Sequence, residues 1–200
     1  MVLPAPGQNY VALKKKTALT DQEHPLGFRE ARPDPAQREK MIRHDRLPIT
    51  LILDHLHDPR NIGSMFRLAD ASRLTEIIMV GMPEMATKDK IHRVARSTMQ
   101  YVPFRQVNNV AECLEATSLD LWALEWTNHS IPYHQWKGKL PIGLVIGNEQ
   151  RGVSEAFFQV CRGSIHLPML GMNTSMNVSV ATGIAVYGLL QQAGELTERD

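Results

Sequence analysis

Three short stretches hold the residues best suited to chemistry. The first is Asn61-x-Gly63-x-x-x-Arg67. The second is Gly147-Asn148-Glu149-x-x-Gly152, and the third runs from Pro168 through Gly171, Ser175, Met176 and Asn177 to Ala181. They offer carboxamides, a carboxylate, a guanidinium, a hydroxyl and glycine-rich backbone with N–H donors. That set suits the binding and orientation of a polar ligand. Its arginine would clamp an anion or steady a developing negative charge. Taken singly, each residue has an ordinary reading: Arg67 as a surface ion pair, Glu149 as a solvated loop carboxylate, Asn61 and Asn177 as caps. Other chemistries lack their signatures. There is no G-x-G-x-x-G, no P-loop and no nucleophile elbow. His55 and His57 have no third ligand placed by local spacing, so no metal is expected. Cys113 and Cys161 read as buried reduced thiols. His166 reads as a hydrogen-bonded structural residue, and Trp126 as a strand-end side chain able to touch a flat ligand. Met169, Met172 and Met176 read as core and pocket filling.

These stretches need elements to hold them. From Pro48 onward, strand-like runs alternate with helical ones. The runs are Ile49–Leu53, Glu76–Val80, Tyr101–Val107, Leu119–Leu124, Ile142–Ile146 and Ser164–Leu167. Asp58 caps and Pro59 begins a helix whose Ile62, Met65, Phe66 and Ala69 fall on one face. Further helices are expected at about Thr87–Ser97, at Asn109–Ala116, and at Glu155–Cys161 behind a Ser154 cap. The last helix, opened by Ser175 as N-cap, is apolar nearly all round and so should be buried on most sides. Its small residues Ser175, Ser179, Thr182 and Gly183 share a stripe that admits a close neighbour, making it a candidate dimer surface. This alternation predicts an α/β domain with a mostly parallel sheet flanked by helices. Ligands in such sheets bind beyond the carboxyl ends of the strands. The loops 54–63, 147–152 and 168–177 leave such ends and are expected to converge.

Composition bounds the partners. Lys and Arg number 22 against 21 Asp and Glu, so any nucleic acid must meet a local basic patch. A hydrophobic share of 43% is enough for a real core. No run approaches the ~20 apolar residues of a membrane span, and a cytoplasmic protein is expected. Residues 1–47 read as a mildly basic, proline-punctuated extension with a short polar helix at about Pro35–Arg46. Residues 48–193 form the domain, and 194–200 a polar tail.

The three motifs, in this order, resemble the SpoU/TrmH-like branch of the SPOUT RNA methyltransferases. The resemblance covers roughly Pro48 to Leu190, and Met176 stands where the third motif usually has leucine. It implies a C-terminal deep trefoil knot, against the ordinary rules of chain topology. It also implies S-adenosyl-L-methionine held in the knot, and a homodimer with active-site residues from both subunits. The implied reaction is methylation of the ribose 2′-hydroxyl of RNA. Transfer RNA is favoured over ribosomal RNA because no ancillary RNA-binding domain is recognised in the extension; no DNA or membrane partner is implied. Carried over residue by residue, Arg67 is the catalytic arginine, with Asn61, Glu149, Ser175 and Asn177 around it. Gly147, Leu167, Gly171 and Met176 line the cofactor pocket, largely through backbone groups. A guanidinium resists deprotonation. Arg67 as a base therefore needs a relay, or else it clamps a phosphate or alkoxide while another group takes the proton. The extension is then a solvated segment, a segment packed on the partner, or an arm contacting RNA. A knotted RNA- or cofactor-binding protein without catalysis is the alternative class.

Overall fold

The structure, a computed structural model, describes residues 33–81 and 88–196. The expectations for residues 1–32 and 197–200 lie outside the described residues. The chain begins with α1 (Pro35–Arg43), where Asp34 and Gln37 form a reciprocal capping box. Then follow β1 (Leu47–Asp54), α2 (Pro59–Ala71), β2 (Leu74–Val80) and α3 (Lys88–Ala95). Next come β3 (Phe104–Val107), α4 (Val110–Ala116), β4 (Asp120–Leu124), β5 (Ile131–Pro132) and β6 (Ile142–Ile146). The last elements are α5 (Glu155–Phe158), β7 (Gly163–His166) and α6 (Val178–Gln192).

Seven strands form one sheet in the order β3-β2-β1-β6-β4-β7-β5. Every pairing in it is parallel. The carboxyl ends of β1, β6, β4 and β7, four neighbours, therefore open at one edge. The sequence order reverses between β1 and β6, the kind of switch point that leaves a crevice. Burial follows the strand period. Ile49, Leu51 and Leu53 of β1 and Ile142, Leu144 and Ile146 of β6 pack on one side of the sheet. Ile52 and Val145 pack on the other. The expected α2 face is realised, with Ile62, Met65, Phe66 and Ala69 all at 0% exposure. Burying Phe66 alone is worth about 2–3 kcal/mol. Gly63 takes α3 close against α2, since a Cβ there would lie 2.6 Å from Val94 Cβ.

Several boundaries differ from the pattern, each for a local reason. The third strand starts at Phe104 because Tyr101 and Val102 turn back to donate to the Thr98 carbonyl. β5 is only two residues long, too short to alternate visibly. The short helix after Ser154 ends at Phe158, and the serine side chain makes no cap. Its backbone N–H donates instead to Asp54, at 2.6 Å. Ser175 is not the cap of the last helix. Asn177 is, its side-chain oxygen accepting from Ser179 N at 2.9 Å and Val180 N at 3.3 Å. Nor is α6 buried all round. Ala185, Val186, Leu189 and Leu190 are buried, but Val180, Ile184 and Tyr187 are 53%, 40% and 42% exposed.

Candidate active site

The three loops meet at the carboxyl edge of the sheet. Asn177, at the start of α6, points its oxygen at the first N–H groups of its own helix. Its amide nitrogen therefore faces outward and donates to Asn61 Oδ1, at 3.1 Å. Asn61, near the start of α2, then has only its nitrogen left, and this donates to Glu149 Oε1 at 2.9 Å. A carboxylate only accepts, so the direction of this relay is fixed at both ends. Glu149 also accepts from the backbone N–H of Asp58, at 3.1 Å, and of His57, at 3.4 Å. Partial burial pushes its carboxyl up, but the bonds from Asn61, Asp58 and His57 outweigh that and hold it below the usual range.

Glycine is required where the middle loop folds on itself. A Cβ on Gly147 would lie 2.2 Å from backbone atoms of Gly152 and Val153. Gly152 adopts φ +69°, and Glu125 fills the space a side chain would need there. Asn148 closes the turn by accepting from Gln150 N and Arg151 N, and its nitrogen donates to the His55 carbonyl at 2.7 Å. At the end of β4, Glu125 accepts from Val153 N and from Trp126 N, at 3.1 Å each. The loops after β1, β4 and β6 are thus tied side by side.

Between them and the loop leading to α6 lies a cavity of about 560 Å³. That volume lies within the usual range for a small-molecule site. Of the predicted residues, Asn61, Gly147, Glu149, Leu167, Ser175, Met176 and Asn177 line it. Gly171 does not; it sits on the exposed part of the loop with nothing within 4 Å of where its Cβ would be. Arg67 does not line it either, and is exposed beside a different cleft, with Arg46 and Arg96. The reason is helical geometry. Six residues beyond Asn61, Arg67 lies ~9 Å further along α2 and about a third of a turn away round it.

Three titratable lining residues, Asp58, Glu125 and His166, lie outside the set that the sequence assigns to the site. Asp58 accepts from Arg60, which holds its carboxyl below the usual range. Glu125 had one available signal, its place at the carboxyl end of a strand. His166 does not satisfy the structural reading, because its Nδ1 is buried with no hydrogen-bond partner among the described residues. Its ring stacks on Trp126, with centroids 6.0 Å apart and planes 19° from parallel. Trp126 thus stands at the cavity as a flat shelf, as its strand-end position predicted. The described lining holds three carboxylates, from Asp58, Glu125 and Glu149, and no lysine or arginine. Such a field favours a cationic ligand with an aromatic part and opposes a phosphate-bearing one.

Comparison with known proteins gives concordant matches. A family model described as the SpoU rRNA Methylase family matches residues 48–187. A TrmH-family tRNA/rRNA methyltransferase of Staphylococcus saprophyticus is 30% identical over 157 residues, 78% of this chain and 63% of that one. The TrmH-family tRNA/rRNA methyltransferase YacO of Bacillus subtilis is 31% identical over 154 residues, 76% of this chain and 61% of that one. The chain therefore spans less than two thirds of the length of these relatives. Among solved structures, the A. aeolicus TrmH/SpoU tRNA modifying enzyme matches with TM-score 0.69 at 23% identity, covering 80% of this chain and 84% of that one. The SpoU methyltransferase AviRb from Streptomyces viridochromogenes, in complex with the cofactor AdoMet, matches with TM-score 0.65 at 26% identity, covering 75% and 61%.

Proposed function

Because the chain belongs to the SpoU rRNA methylase family, we propose that it methylates the ribose 2′-hydroxyl of RNA with S-adenosyl-L-methionine as donor. The observation that carries this reading is the cavity built on the Asn177–Asn61–Glu149 relay, acidic and free of lysine and arginine among its described lining. When bound, the cofactor supplies an electrophilic methyl group on a sulfonium sulfur. Asp58, Glu125 and Glu149 give that positive charge a favourable field. Trp126, backed by His166, offers a face for the adenine. Gly147, Leu167 and Met176 line the same cavity, and the loop backbone there is available to polar groups of the cofactor. The relay fixes the rim rigidly, which in-line transfer requires, since positioning is a large part of its catalysis. For transfer to be complete the ribose hydroxyl would give up its proton, and water at the exposed rim around Ser175 would take it. Ser175, exposed on the rim, is placed to hydrogen-bond the incoming ribose.

Arg67 of the same chain faces away from this cavity, so the reading assigns the arginine to a second copy. The exposed row Val180, Ile184 and Tyr187 on α6 gives a homodimer its apolar surface. In that dimer Arg67 of one protomer steadies the developing alkoxide or a neighbouring phosphate at the other's cavity. The knotted threading of residues 167–177 belongs to the same proposal. It is supported by β7 lying between β4 and β5 while α6 returns to pack on α2. Transfer RNA is the proposed target. Its support is the A. aeolicus neighbour, a tRNA modifying enzyme most of whose chain is covered.

The test is transfer of a labelled methyl group into purified tRNA and rRNA, followed by digestion to nucleosides. Label in a 2′-O-methylnucleoside from tRNA is expected. Label in rRNA alone would replace the target, and label on a base would overturn the ribose assignment. Substituting hydrogen for the 2′-hydroxyl at the mapped nucleotide should stop transfer.

A further inference from the structure

A second cleft, of about 470 Å³, lies where α1 and the segment after it pack against α2 and α3. Five arginines line it, Arg38, Arg46, Arg67, Arg73 and Arg96, against the single carboxylate of Asp70. Arg46 forms its floor. Its guanidinium donates to the carbonyls of Ile42 at 3.0 Å, Leu74 at 2.8 Å, and Tyr101. Those donors are occupied by backbone, and burial lowers the arginine's pKa. The other four are differently placed. Arg38 donates from one nitrogen to the Pro33 carbonyl at 3.3 Å, and its Nε is buried with no partner among the described residues. Arg67, Arg73 and Arg96 make no ion pair among the described residues.

Two of these arginines sit on backbone that does not suit them. Arg73, after α2, has φ +50°, and Arg96, after α3, has φ +56°. Helix ends in this left-handed conformation usually carry glycine or asparagine, since a Cβ crowds the backbone there. Long cations at two such positions, both on one cleft, are costly to the fold, and among the described residues neither side chain makes an ion pair or hydrogen bond that would offset the cost. Like charges gathered this way also repel one another until an anion enters.

We propose that this cleft binds consecutive phosphodiesters of the RNA backbone. The inference rests on the methyltransferase reading for the identity of the polyanion, and on the cleft's own residues for its chemistry. Several separated guanidinium groups match a run of phosphates better than one small anion, and each can grip phosphate oxygens through paired N–H groups. The cleft has a further consequence for the reaction. Arg67 lines it, so a strand lying along α1 would be delivered to the arginine assigned to the partner's cavity. The overall charge is nearly neutral, so this local patch provides the field that composition alone does not.

The test uses the full chain and fluorescein-labelled tRNA, followed by anisotropy over a series of KCl concentrations. The variant is the Arg73→Gly, Arg96→Gly double substitution, which removes both cations and relieves both left-handed residues. It should melt at or above the wild-type temperature and bind S-adenosylmethionine within twofold of wild type. Its RNA affinity should fall at least tenfold, and the slope of log K against log salt should shrink by about one to two. Arg38→Ala on exposed α1, a milder variant, should lose about threefold. Arg162→Ala, which removes a cation paired with Asp120 elsewhere, should change RNA affinity less than twofold. Unchanged affinity and slope in the double variant, with RNA binding intact in wild type, would overturn the cleft and leave the reaction standing. Wild-type protein that takes up cofactor but binds no RNA at low salt would overturn both. Inorganic phosphate that abolishes RNA binding at matched ionic strength would mark a single-anion site and overturn the assignment to a strand.

Discussion

Replacing Glu149 with alanine removes the acceptor on which the relay ends, and the structure sets the size of the effect. Three bonds are lost, to Asn61 Nδ2 at 2.9 Å, Asp58 N at 3.1 Å and His57 N at 3.4 Å. The two backbone groups lie at the rim, where water replaces the carboxylate at small cost. Asn61 is different, being only 8% exposed. Orphaning its amide costs about 1–3 kcal/mol. In the free variant the loops relax to hydrate that amide and cofactor must restore their order, so a central value of about 2 kcal/mol lowers cofactor affinity roughly thirtyfold. Glu149→Gln should lie between the two. Its carbonyl oxygen can still accept from Asn61 and Asp58, while its amide nitrogen, a donor, faces the His57 N–H and loses that longest bond. Loss of that weak bond and of the charge-assisted part of the others costs about 0.5–1 kcal/mol, or two- to fivefold. Calorimetric titration with S-adenosylmethionine reads all three proteins. Alanine at Asn61 should cost little more once Glu149 is gone, giving a coupling of about 1 kcal/mol or more in the double-mutant cycle. Affinity of Glu149→Ala within twofold of wild type, or strict additivity with Asn61→Ala, would refute the relay as the support of the cavity.

Further outcomes follow from other residues. Gly147→Ala forces a Cβ to within 2.2 Å of backbone atoms, so the loop must shift. Stability should fall by about 1–3 kcal/mol, seen as a drop of several degrees in Tm, with more than tenfold loss of cofactor affinity. Burial pushes the thiols of Cys113 and Cys161 up to about 11 and about 12. At pH 8 the folded protein should react with a disulfide reagent at least a hundredfold more slowly than the unfolded chain. Ile184→Glu places a charge in the exposed row of α6. Sedimentation should show a monomer that still binds cofactor but transfers no methyl group, whereas a monomeric wild type would remove the shared site. Arg67→Ala should abolish transfer while cofactor affinity stays within tenfold, since Arg67 is absent from the cavity lining.

Much of this architecture was legible in the chain because parallel strands covered on both faces leave a strong signal. β6 was read at its observed limits, since Ile142–Ile146 has no polar residue to blur its ends. The N-cap at Asp58 and the α2 face were equally plain, because both depend on local spacing. The convergence of loops 54–63, 147–152 and 168–177 could be inferred because carboxyl ends of parallel strands share an edge. The sequence points to Ser175 as the cap of α6 where the structure has Asn177, because both residue types cap well and local spacing does not separate them. The choice falls to Asn177 because its amide can serve the helix and Asn61 at once. His166 reads as structural in the sequence because a lone histidine in a strand carries no local mark of the cavity beside it. Arg67 shows the limit of motif reading. A motif states which residues act together, but in one copy of this chain the helix turns that arginine away from its companions.

The proposed reaction stands on the loops 54–63, 147–152 and 168–177 together holding a sulfonium donor. Calorimetric titration of the full chain with S-adenosylmethionine decides whether they do. Saturable binding in the micromolar range, one cofactor per chain, is the expected result. No heat up to millimolar cofactor, from protein with an intact cooperative melt, would contradict it.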